Sequence, residues 1–176
     1  NNDTVVTRVW RSKLISHLSD QRVGLVGSMT NGVSNEAQME MQFTDIDSLD
    51  MFATRISKER AGILTPIKML ALYCAAGRRE VFQKIGPLDE RFGIGMFEDD
   101  DYSLRIRQAG YRIAVAEDVF IHHFGQSGFK ILGDERYLAL FEENRRKFEA
   151  KWNIKWEQHV TGALAENRQF TSDLQT

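Results

Sequence analysis

Residues 22–28, RVGLVGS, constrain the fold more than any other stretch: a short apolar run closed by glycines. With no polar face to offer water, it reads as a strand covered on both sides, as in an alternating α/β protein. Residues 4–15, TVVTRVWRSKLI, start β-branched and then place Val9, Trp10, Leu14 and Ile15 at helical spacing, which predicts a strand end, a Thr7 cap and a helix. Residues 47–60 carry Leu49, Phe52, Ala53 and Ile56 on one helical face. IKMLALYCAAG (67–77) is apolar and reads as a buried strand, with a helix left open by its length. RREVFQKIG (78–86) predicts a short helix stopped by Gly86 and Pro87, and DDYSLRIRQAG (100–110) a helix with an acidic start and a Gly110 stop. YRIAVAED and VFIHHFG are strand-like, and residues 134–152 give the clearest helix, with Tyr137, Leu138, Phe141, Phe148 and Trp152 near one stripe. The polar stretch 29–47 reads as a surface excursion, and 165–176 as a polar, frayed tail. Strands alternating with helices predict a three-layer α/β/α architecture whose ligands collect at the carboxyl ends of the strands.

Composition narrows the function. The chain has 176 residues, 42% of them hydrophobic, enough for one sizeable core and too few for two. Lys and Arg are scattered and the net charge is -2, so no nucleic-acid footprint is expected, and Arg78-Arg79 and Arg145-Arg146-Lys147 read as solvated faces. A single Cys74 excludes an internal disulfide and a thiolate zinc cage, fits a reducing compartment, and reads as a buried, inert thiol. No apolar run reaches the length of a membrane span and no signal-peptide pattern is present; with no initial Met, the reading is an excised or processed segment rather than a secreted chain.

Three clusters carry chemistry. In Asn1-Asn2-Asp3, the aspartate either caps its own turn or serves a site. In GMFEDDDYSLR (95–105), Asp100 and Asp101 suit a helix N-terminus, yet four successive carboxylates behind apolar Met96 and Phe97 also suit a general base, because desolvation raises a carboxyl pKa. His122-His123 lies in a strand-like run, where adjacent side chains face opposite ways and only one can enter a given site. One imidazole with carboxylate oxygens suits a manganese- or magnesium-like ion.

In order along the chain, these clusters resemble the inverting family 2 glycosyltransferases with a GT-A fold. NNDTVVT is similar to that family's Asp-x-Asp variant, VGLVGSMTN to its Val-Gly-x-x-Gly-Pro-x-x-Asn stretch, and RREVFQKIGPLDERFGIGMFEDDDYSLRIRQAGYRIAVAEDVFIHHFGQSGF to the segment running through its Glu-Asp-x-Asp motif to the terminal His. EENRRKFEAKW resembles the tail that often follows, so the likeness extends over about 150 residues. It implies a partial, Rossmann-like GT-A domain over 1–164, lacking the N-terminal nucleotide-binding half. Asp3 would bridge a divalent ion, Mn2+ or Mg2+, to the donor diphosphate, with Asn1 and Asn2 nearby. Asp99 would be the general base and Glu98 would orient the acceptor. Asp101 would cap the next helix, and Arg105 and Arg107 would pair with the acidic cluster. His122, in His-x-x-Gly-x-Ser with Gly125 and Ser127, would be a second metal or diphosphate contact, with His123 in reserve. The implied partners are a nucleotide-sugar donor and a glycan or lipid-linked glycan acceptor, in the cytoplasm or at the inner face of the membrane, with homo-oligomerisation through 134–152 open. The chain departs from the family pattern at Leu72-Tyr73-Cys74 (Gly-x-Cys is usual), at Ser28 (Pro) and in the Asn that replaces the first Asp. A catalytically inactive carbohydrate-binding or assembly module of the same fold is the alternative, and a metal-dependent hydrolase a third reading.

Overall fold

A computed structural model describes residues 1–40, 45–125 and 133–161. Strand β1 is Thr4–Val5, followed by α1 (Trp10–His17), β2 (Val23–Met29), α2 (Ile46–Glu59), β3 (Leu64–Pro66), β4 (Ala75–Ala76) and α3 (Arg79–Ile85). A 3-10 turn at Glu90–Phe92 leads to α4 (Glu98–Gln108), β5 (Arg112–Phe120), β6 (His122–His123) and α5 (Asp134–Trp152). The result is a mixed α/β domain with a four-stranded sheet in the order β3-β5-β2-β4, consistent with a Rossmann-like arrangement. Strands β2 and β5 run parallel at its centre, with β3 and β4 antiparallel outside them. No described helix is long and apolar enough to cross a membrane.

The run 22–28 is buried along its whole strand as expected, and its register explains how it feeds both faces. An irregularity between Val23 and Leu25 lets Val23 and Val26 pack with Leu14 of α1 and Leu18 just after it, while Leu25 packs with Phe52 and Ile56 of α2 and Ile106 of α4. Gly24 permits this closeness, since a Cβ there would meet Tyr111 Cβ at 2.6 Å. Arg78 ties the turn before β2, its guanidinium donating to the carbonyls of Leu18, Asp20, Gln21 and Val23 at 2.9 to 3.3 Å.

Three local expectations are corrected. Thr7 does not cap α1; its hydroxyl donates to the Phe120 carbonyl at 2.8 Å, and Val9 in a left-handed conformation starts the helix. The stretch 29–40 is no surface excursion: Thr30, Asn35, Ala37 and Met39 are buried, and the Thr30 and Met39 amides bond the carbonyls of Ala37 and Thr30. Residues 67–74 are neither strand nor helix but an apolar loop that reaches β4 only at Ala75–Ala76. Tail residues 165–176 lie outside the described residues.

Candidate functional site

The approach to α4 is strained backbone. Met96 and Phe97 are consecutive non-glycine residues with φ 71° and 70°, a conformation costing about 1–3 kcal/mol each that persists only where the surroundings impose it. Here they do. Asn144 of α5 is fully buried, and its amide donates to the carbonyls of Phe92 and Gly95, both at 2.8 Å, and of Met96 at 3.3 Å. Phe92, Phe97 and Phe148 pack with Phe141, Trp152 and Trp156 around it. The turn places Glu98, Asp99, Asp100 and Asp101 together on the first turn of α4, at the end where the helix dipole favours negative charge.

The fold treats these four carboxylates differently. Asp101 is buried and serves the scaffold: it bonds the Lys151 ammonium, accepts from Trp152 Nε1 at 2.9 Å and pairs with Arg105 at 3.0 Å. It therefore fastens α5 to α4 rather than capping. Arg105 follows it, also donating to the carbonyls of Ile85 (3.0 Å) and Pro87 (2.7 Å), while Arg107 is exposed. Asp100 accepts from Trp156 Nε1 at 3.0 Å and lies 2.7 Å from His159 Nε2, so the segment after α5 folds back over the start of α4. Among the described residues, Asp99 and Glu98 have no cationic partner of this kind. Burial pushes the Asp99 carboxyl well above the usual carboxylate range, the charges of Glu98 and Asp100 push it further, and a hydrogen bond from the Leu72 backbone pulls only partly back. Glu98 is also raised, by burial first, and its Oε2 is buried without a hydrogen-bond partner among the described residues.

The second group forms where β1 and β6 pair antiparallel, with Thr4 opposite His123 and Val5 opposite His122. That register brings His123, the reserve candidate, to Asp3: its Nε2 lies 3.3 Å from Asp3 Oδ1, an atom that is buried and accepts no hydrogen bond from the described residues. The adjacent His122 is buried with its ring edge-on to Phe124 at 4.6 Å, and burial lowers its pKa. Asn2 is exposed in the turn before β1. Among the described residues, no group of three or more His, Cys, Asp or Glu side chains is placed to hold a metal ion, so Asp3 and His123 offer two ligands. Gly125 is described, with φ 64°, whereas Ser127 lies outside the described residues.

One segment links the two groups. The Leu72 backbone moderates the raised Asp99 carboxyl, and the ring of the next residue, Tyr73, lies parallel to the His123 imidazole, 4.8 Å between centroids and 13° between planes. Beside it, an open groove of about 900 Å³ is lined by Leu25, Leu72, Phe82, Leu88 and Tyr102, among others. Sequence reasoning missed Asn31, Tyr73 and Asn144. The place of Asn31 in VGLVGSMTN and of Asn144 in EENRRKFEAKW was the available signal; Tyr73 stood only as a departure from a pattern. No family model matches this chain, and no curated protein matches it.

Proposed function

We propose that the chain is the metal- and base-bearing part of an inverting, GT-A-type family 2 glycosyltransferase, acting on a nucleotide-sugar donor and a glycan or lipid-linked glycan acceptor at the cytoplasmic side of a membrane. The observation that carries this reading is that one short loop adjoins both expected halves of the chemistry: Tyr73 stacks on the His123 ring, and the backbone of its neighbour Leu72 is the group that moderates the raised Asp99 carboxyl. Transfer with inversion is an in-line displacement needing one base on the acceptor and charge stabilisation on the leaving group. Asp99, raised by burial, is suited to take the proton of an acceptor hydroxyl. The unpartnered Glu98 Oε2 is suited to accept a hydrogen bond from another acceptor hydroxyl and orient it.

On the donor side, a buried carboxylate oxygen 3.3 Å from an imidazole nitrogen fits Mn2+ or Mg2+, with Asp3 and His123 as the protein ligands. When bound, the ion supplies Lewis-acid stabilisation of the departing diphosphate. In the longer protein that this reading requires, Asp3→Ala is expected to abolish Mn2+-dependent binding of uridine, thymidine or guanosine diphosphate by calorimetry. Asp99→Asn is expected to leave that binding intact and abolish sugar transfer. Equal transfer by Asp99→Asn and the parent would remove the base assignment. Metal-dependent glycan binding without turnover would favour the binding-module reading.

A further inference from the structure

The Asp3–His123 pair is surrounded by groups that the glycosyltransferase reading leaves without a role. The His123 ring Nδ1 lies 2.7 Å from the Gly32 carbonyl oxygen. Both flanking oxygens can only accept, but the Gly32 carbonyl is at hydrogen-bonding distance whereas Asp3 Oδ1 lies 3.3 Å off and accepts no hydrogen bond from the described residues, so in the neutral ring Nδ1 carries the proton and the lone pair falls on Nε2, the nitrogen facing Asp3. The backbone of His123 is held as closely as its ring. Asn31 donates from Nδ2 to the His123 carbonyl and accepts the His123 N–H at Oδ1, each at 3.0 Å, so one side-chain amide replaces a strand partner. A Cβ at Gly32 would sit 2.3 Å from the His123 carbonyl oxygen, which closes that approach to any larger residue. Tyr73 covers the ring face, stacked and buried, with its hydroxyl donating to the Ser28 carbonyl at 2.7 Å and 2.9 Å from Ser28 Oγ.

We infer that Asn31 and Tyr73 are positioning residues, which with the Gly32 carbonyl hold His123 as its Nδ1–H tautomer and keep Nε2 turned towards Asp3 as a ready ligand. A ligating histidine commonly donates its other ring N–H to a carbonyl or carboxylate, and loss of such a partner typically costs ten- to a hundredfold in metal affinity. The inference deepens the reading of Asp3 and His123 as a cation seat, and the test separates the two. Long-range 1H–15N correlation spectra of the metal-free chain, recorded at about pH 8.5, above the ordinary histidine range, report which ring nitrogen is protonated. The expected pattern has Nδ1 protonated and Nε2 bare at His123. Asn31→Ala and Tyr73→Leu should each yield mixed tautomers and weaken Mn2+ binding, measured with the metal alone by electron paramagnetic resonance, by about tenfold. Tyr73→Phe, which keeps the stacked ring, should keep the parent tautomer. A proton on Nε2 of the parent, or an unchanged tautomer in both disruptive variants with their folds intact, overturns the inference. The expected tautomer pattern in a parent that binds no Mn2+ supports the positioning frame and overturns the cation seat alone.

Discussion

At the scale of single residues, neighbouring carboxylates of α4 occupy opposite energetic positions. Asp99 is held above the usual carboxylate range, so the folded chain binds its proton more tightly than the unfolded one. Stability then falls as pH rises from the unfolded carboxyl value through the raised folded one. Asp99→Asn should therefore abolish transfer and yet raise the melting temperature at pH 7; a lower melting temperature would show that the charge is compensated. Asp101 behaves in the opposite way, because it is the shared acceptor for Lys151, Trp152 and Arg105. Asp101→Ala leaves Arg105 without its carboxylate, Trp152 Nε1 without its acceptor and Lys151 with Asp89 alone, and should cost about 3 kcal/mol in urea unfolding; a change below about 1 kcal/mol would remove its anchoring role.

At the scale of elements, the start of α4 depends on α5. A turn through two left-handed residues does not hold by local preference, and the Asn144 amide supplies hydrogen bonds that hold it. Asn144→Ala should cost about 2–3 kcal/mol by leaving buried carbonyls unpaired. It should also reduce turnover more than donor binding, since the displaced residues carry Asp99; equal loss in both would point to global damage. α2, by contrast, was readable from local pattern alone: Leu49, Phe52, Ala53 and Ile56 recur at helical spacing and all four are buried.

At the scale of the whole molecule, the segment after α5 closes over α4 through Trp156 and His159. Burial disfavours the charge on His159, but the hydrogen bond and charge of Asp100, aided by Glu36, outweigh that and a smaller opposing effect of Lys68, so its pKa is raised. Its contribution is fully present below the ordinary histidine value and is lost as pH rises through the raised one. The melting temperatures of parent and His159→Gln should accordingly differ most below the ordinary histidine value and converge as pH rises through the raised one. Trp156 emission, reporting its contacts with Phe97 and Phe141, should follow the same course. A difference independent of pH would assign His159 a packing role alone.

The sequence by itself determined the α/β class, the buried strand β2, the helices α2 to α5 and the clustering of Glu98 to Asp101, because burial periodicity and helix-end chemistry act over a few residues. It could not decide that Thr7 serves Phe120 across the sheet, that residues 29–40 turn inward, or that 67–74 forms neither regular element. Nor could it choose between His122 and His123. Adjacent residues of a strand face opposite ways, so that choice belongs to the pairing of Thr4 with His123, a register set between segments more than a hundred residues apart. Asn31, Tyr73 and Asn144 were hidden for the same reason: most of their partners are backbone groups and a ring distant in sequence, which only tertiary structure brings within bonding distance.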